Sequence, residues 1–253
     1  MNIKQQETHW LQQAKYSGQS TEELAINHEY QNDLKRLNEG EPLAYVIGHV
    51  PFLNCVIFLN TRPLIPRPET EFWTEKVIDS IPKHEPIAVL DLCSGSGCIA
   101  VAIAKARPQT KVDIVEKDTS HHPLIKQNID HNKLDKNRFR VIGGDLFSDL
   151  PTNKKYDLIT ANPPYIDMPL NRVENSVLKH EPLLALDGGR KGMYIINKII
   201  SNAKKYLKPK GVLWLEHEPE QVAPITTLAT HKKLKIVTHN DQYKTPRYSC
   251  FYM

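Results

Sequence analysis

The chain has 253 residues, 40% of them apolar and 25% charged, the balance of a globular protein with one large α/β domain and a small appendage. No stretch approaches the roughly 18 uncharged apolar residues that a membrane helix needs. The opening MNIKQQETHW is polar, so export is set aside and a cytoplasmic location is expected. The formal net charge of +4 permits a polyanionic partner without arguing for one.

Residues 1–40 read as short amphipathic helices: Trp10, Leu11, Leu24, Ile26, Tyr30, Leu34 and Leu37 recur at helical spacing, and Ser20 with Glu23 forms a capping box. Residues 43–59 are rich in strand formers and broken by Gly48, Pro51 and Asn54, which predicts a hairpin. A proline-punctuated loop, 62–68, leads into a helix near 69–80, and Pro82 and Pro86 mark a boundary.

From residue 87 short apolar runs alternate with helical segments. Strands are expected at 87–92, 112–116, 139–144, 157–162, 212–217, 235–239 and 248–253. Helices are expected after Gly97, near 120–132, near 192–206 and after the strand at 212–217. This alternation predicts an α/β fold with a mostly parallel seven-stranded sheet. The last two strands, with no helix between them, predict an antiparallel edge hairpin. Cys55, Cys93, Cys98 and Cys250 include no C-x-x-C pair, so no metal site is expected and buried reduced thiols are.

The first chemical signal is Asp91-Leu92-Cys93-Ser94-Gly95-Ser96-Gly97-Cys98-Ile99-Ala100, which follows a strand and opens a helix. In that context two glycines let backbone approach a nucleotide-like ligand, and the alanine allows close helix–strand packing. Glu116 ends the next strand, where a carboxylate can accept from both hydroxyls of a ribose. The ligand is a dinucleotide or S-adenosylmethionine. No hydride-transfer site is apparent, and Asp91 suits a cationic ligand. Asp145, after the third strand, is placed to accept from an adenine amino group with Leu146 against the ring; its alternative is a helix N-cap.

The sharpest signal is Asn162-Pro163-Pro164-Tyr165 at the end of the fourth strand. Amide and exocyclic amino nitrogens are poor nucleophiles because the lone pair is delocalised. Two acceptors that hold the two N–H groups aim that lone pair, and the Asn162 side-chain oxygen with the Pro163 carbonyl can serve. Tyr165 offers a ring face to a planar group.

Asn-Pro-Pro-Tyr after Asp-Leu-x-x-Gly-Ser-Gly resembles the amino-group methyltransferases. Gly40–Gly48, Leu64–Glu71, Gly144–Phe147, Asp157–Ile166, Glu181–Gly189 and Leu213–Glu216 narrow the resemblance to the PrmC/HemK family of release-factor glutamine N5-methyltransferases. Arg67-Pro-Glu-Thr-Glu71 is more similar to that family than to the relative acting on ribosomal protein L3.

The resemblance implies a Rossmann-like class I methyltransferase domain at 83–253, a hairpin and linker helix at 43–82, and a short helical substrate-binding region at 1–42. It implies S-adenosylmethionine as cofactor, held by Asp91, Cys93, Ser94, Gly95, Ser96, Gly97, Glu116, Asp145, Leu146 and Asn162. Asn162, Pro163, Pro164 and Tyr165 are then the catalytic stretch, and the substrate is the glutamine of a release factor's Gly-Gly-Gln loop, with no nucleic acid required. The alternative is a nucleobase amino methyltransferase acting on DNA or RNA, but no concentrated basic face accompanies the motif. The sequence departs from the family pattern in a shorter N-terminal region, in Cys93 for a glycine, and in Lys191 for an acidic residue.

Overall fold

The computed structural model describes residues 3–170 and 173–253. Three helices open the chain: α1 (Ile3–Lys15), α2 (Thr21–Ile26) and α3 (His28–Asn38). The expected capping box is present: Ser20 Oγ accepts the Glu23 N–H at 3.2 Å, and Glu23 accepts the Ser20 N–H at 2.6 Å. Leu11, Tyr16, Leu24, Tyr30 and Leu37 bury one another in a small core of their own. Trp10 and Ile26, which the periodicity assigns to the same faces, instead stand exposed. Buried Asp33 is matched by Lys15 at 2.6 Å, Tyr16 at 2.8 Å and Arg36 at 2.9 Å, so its charge is paired on every side.

The stretch expected to begin a hairpin at 43 first forms a short helix, α4 (Leu43–Ile47). Pro42 pre-sets its first turn, and Gly48, at φ +89°, ends it in the left-handed conformation glycine tolerates. The hairpin proper is β1 (His49–Phe52) and β2 (Cys55–Phe58), paired antiparallel. The outer edge of β2 lies along α7 (His122–His131) and the residue after it. Asn128 accepts the Phe58 N–H at 2.8 Å and donates to its carbonyl at 3.3 Å. Asn132 does the same for Val56 at 3.2 and 2.8 Å. Helix α5 (Pro68–Ser80), with Pro68 in its first turn, then runs under the sheet.

The main sheet contains β3 (Ala88–Leu92), β4 (Lys111–Glu116), β5 (Phe139–Gly143), β6 (Tyr156–Ala161), β7 (Leu207–Glu216), β8 (Lys235–Asn240) and β9 (Pro246–Tyr252). Its order is β5-β4-β3-β6-β7-β9-β8. The first five of these strands run parallel, while β9 pairs antiparallel with both β7 and β8. The seven strands and the antiparallel edge agree with the sequence expectation.

Alternate residues of each strand feed two cores. Val89, Ile114, Leu158 and Trp214 face α5, α6 (Cys98–Ala106), α7 and the hairpin. Leu90, Val115, Ile159 and Leu213 face the other layer, α10 (Tyr194–Tyr206) and α11 (Val222–His231). Two short helices, α8 (Asn175–His180) and α9 (Leu183–Leu186), fill the long connection after β6, where the sequence analysis placed no element. Among the described residues no helix is long and apolar enough to cross a membrane.

Strand order reverses between β3 and β6. In an open α/β sheet that reversal opens a crevice at the carboxyl ends of the strands. Register sets what lines it: Leu92 is level with Val115 and Ala161, and Ala161 with Leu215. The next residues, Glu116, Cys93, Asn162 and Glu216, therefore emerge in one row.

Candidate active site

A cleft of about 360 Å³ opens above that row. Cys93, Gly95, Val115, Glu116, Asp145, Leu146, Asn162 and Pro164 line it, together with residues the sequence reading did not assign: Leu64, Lys117, Asp118, His121, the 182–185 stretch, Asp187 and Ile195. A second chamber of about 220 Å³ adjoins it, lined by Arg67, Pro163, Tyr165, Ile166, Val177 and Leu186. Leu64, Asn162 and Ala185 belong to both.

Glu116 is buried, and its carboxylate is held by two backbone amides, Gly95 N–H at 2.7 Å and Asp118 N–H at 2.8 Å. Such a carboxylate keeps lone pairs for further donors on its cleft side. Asp145 also faces the cleft, with Lys198 Nζ at 3.2 Å. No helix begins at Asp145, which removes the N-cap alternative. Cys93 and Leu146 both adopt left-handed backbone, φ +55° and +61°. Burial, with Glu116, Asp91 and Asp145 nearby, pushes the Cys93 thiol well above its usual range.

Asp91, Ser94, Ser96 and Gly97 do not line either chamber. Ser94 Oγ donates to the Asp91 carbonyl at 2.9 Å, and Gly97, at φ +77°, packs so near Ile125 that a Cβ would sit 3.3 Å from it. Asp91 is fully buried: one carboxylate oxygen accepts from Thr160 at 2.7 Å, and the other has no partner among the described residues. Burial pushes its carboxyl up to about 7.

At the junction of the chambers, Asn162 Nδ2 donates to Thr70 Oγ1 at 3.0 Å. The Tyr165 hydroxyl donates to Glu216 at 2.9 Å, and burial beside that carboxylate raises its pKa. Behind Tyr165 lie residues 188–192, which include the departure at Lys191. A Cβ on Gly188 would come within 2.7 Å of the Tyr165 Cα, and one on Gly192 would run into the Tyr165 carbonyl oxygen. That oxygen also accepts from Gln221 Nε2 at 2.7 Å. The Gly-Gly stretch is thus a seat for the motif's backbone, and Lys191 points outward. Glu181 joins the walls by accepting the Ile65 N–H at 3.0 Å and the Arg67 guanidinium at 2.5 Å.

A reversed parallel sheet, a glycine turn tied to the next strand's carboxylate, and a cleft over both define a Rossmann-like methyltransferase. The structure of a methyltransferase from Pyrococcus furiosus superposes on 88% of this chain and 98% of its own with a TM-score of 0.61 at 17% identity, and the methyltransferase small domain family matches residues 69–180. A release factor glutamine methyltransferase of Thermodesulfovibrio yellowstonii is 34% identical over 224 residues, 86% of this chain and 79% of that protein. One of Coxiella burnetii is 35% identical over 81% of this chain and 74% of its own. The chain belongs to the release factor glutamine methyltransferase family, whose members are S-adenosylmethionine-dependent.

Proposed function

We propose that the protein methylates the side-chain amide nitrogen, N5, of the glutamine in a release factor's Gly-Gly-Gln loop, in the cytoplasm and without a nucleic-acid partner. The observation that carries this reading is that Asn162 belongs to both chambers. One chamber suits the cofactor and the other a single inserted side chain.

The donor set of the first chamber fits S-adenosylmethionine. Glu116, Asp118, Asp145 and Asp187 surround it, Leu146, Val115 and Ile195 supply apolar wall, and the orphaned oxygen of Asp91 lies in the strand that leads to its glycine turn. Carboxylates of this kind answer a cation, and Glu116 stands where a ribose would meet the end of β4. When bound, the cofactor supplies an activated methyl group on a sulfonium.

The chain's own residues bring the nucleophile to that methyl. Asn162 Oδ1 has no partner among the described residues, because the Asn162 nitrogen is turned to Thr70. With the Pro163 carbonyl it holds the two N–H groups of the substrate amide and aims the lone pair across the junction. Tyr165 packs on the planar amide, and Leu64 with the 182–185 stretch keeps bulk water out. The nitrogen loses one proton after the methyl has arrived, so no general base is required.

The test incubates the protein with methyl-labelled S-adenosylmethionine and either a folded release factor or total RNA. Label on the Gly-Gly-Gln glutamine supports the reading. Label in RNA and none in the factor sinks it.

A further inference from the structure

Directly behind the two chambers sits a carboxylate that the mechanism above does not use. Glu216, at the end of β7, is 1% exposed. Its Oε2 accepts from Trp73 Nε1 at 2.6 Å and from Thr70 Oγ1 at 2.7 Å, and its Oε1 accepts from the Tyr165 hydroxyl at 2.9 Å. Three donors converging on one buried group fix the direction of each bond.

A threonine hydroxyl carries one proton. Here that proton is committed to Glu216, so Thr70 Oγ1 faces Asn162, 3.0 Å away, as an acceptor only. A side-chain amide has nearly the same shape either way round, but its two ends have opposite hydrogen-bonding character. Facing an acceptor, Asn162 presents its NH2 and turns its oxygen to the junction. Reversed, it would set N–H donors against the N–H donors of the substrate amide.

We propose that Glu216 is a positioning residue: through Thr70 it sets the polarity of the Asn162 amide, and with its other oxygen it fixes the Tyr165 ring, so one carboxylate orients both ends of the catalytic stretch. The inference rests on Asn162 being the substrate's acceptor. It explains a charged residue closing the otherwise apolar Val212–Leu215 run, and a threonine at the buried face of the first turn of α5.

The experiment compares Thr70→Val, Thr70→Ser, Glu216→Gln and Asn162→Ala in methyl transfer to a folded release factor. Cofactor affinity and melting temperature are measured for each. Thr70→Val keeps the shape and removes the hydroxyl, so kcat should fall about tenfold or more, the scale of one lost oriented hydrogen bond, with cofactor affinity unchanged. Thr70→Ser restores the hydroxyl and should recover most of that loss.

Glu216→Gln is the sharper comparison. Trp73 Nε1 only donates, so the glutamine oxygen must stay on the Trp73 and Thr70 side, and Thr70 keeps its acceptor. The relay therefore predicts a smaller loss for Glu216→Gln than for Thr70→Val, whereas a role through negative charge predicts the reverse and overturns the proposal. Full activity in Thr70→Val beside an inactive Asn162→Ala overturns the relay and leaves the amide clamp standing. An active Asn162→Ala overturns the clamp and the relay together. A Thr70→Val variant whose melting temperature and cofactor affinity fall along with kcat assigns Thr70 a structural role only, and overturns the relay.

Discussion

Glu116 Oε2 accepts the Gly95 N–H at 2.7 Å, so the turn after β3 hangs from the last residue of β4. The carboxylate thereby shapes the loop at the cleft, and its remaining lone pairs are the acceptors proposed for the ribose hydroxyls. Glu116→Ala should weaken S-adenosylmethionine binding by roughly 1.5–3 kcal/mol, the scale of hydrogen bonds to a charged group. Titration calorimetry reads this directly, and unchanged affinity would remove Glu116 from the cofactor site.

Asp91 gives the site a pH signature. Burial lifts its carboxyl to about 7 from an ordinary 3.8, against the opposing hydrogen bond of Thr160. The folded chain therefore holds this proton more tightly than the unfolded chain, and the Asp91 contribution to stability falls as pH rises from about 4 to about 7, then levels off. A cation brought near Asp91 favours the ionised form and reverses the lift. Cofactor binding at pH 6 should then release up to one proton, and binding at pH 8.5 almost none. Calorimetry in buffers of different ionisation enthalpy measures the released proton; a binding enthalpy independent of buffer at pH 6 contradicts the assignment.

Asn162→Ala removes the proposed acceptor at the junction. Turnover should drop about a hundredfold or more, by analogy with loss of one oxyanion-hole donor, while much of the cofactor binding survives. Asn162→Asp keeps an oxygen in place and should remain partly active. An alanine variant within a factor of three of the parent in a transfer assay at saturating cofactor would show the clamp to be wrong.

A single glutamine side chain buries little area, so the proposed recognition of a folded release factor should draw on contacts outside the second chamber. A short Gly-Gly-Gln peptide should be methylated with a far lower kcat/KM than the intact factor. Equal values for the two would show that the chamber alone selects the substrate.

The strands, the glycine turn and the Asn-Pro-Pro-Tyr stretch were legible because each is local: an apolar run, then a residue type that only a strand end accommodates. The short α4 was not. Leu43–Ile47 ends in three strand formers, Tyr45, Val46 and Ile47, which mask the helix formers Leu43 and Ala44; the flanking Pro42 and Gly48, with two separate cores claiming Tyr45 and Val46, favour the helix. Helices α8 and α9, of six and four residues, are too short to show a period. Thr70 and Glu216 lie 146 residues apart, so their bond exists only once β7 is laid beside β6. The same holds for Gly188 and Gly192, whose need to lack a Cβ comes from Tyr165 rather than from their neighbours in sequence.

The amides of Asn128 and Asn132 offer β2 the donor and acceptor pattern of a peptide group, so α7 stands in for a third strand along that edge. A two-stranded ribbon otherwise leaves a row of unpaired backbone groups open to any passing chain. Closing it with side chains rather than backbone makes the ribbon's edge depend on the helix beside it: an oxygen in place of the Asn128 nitrogen would face the Phe58 and Ser96 carbonyls, and the edge would lose its donor there.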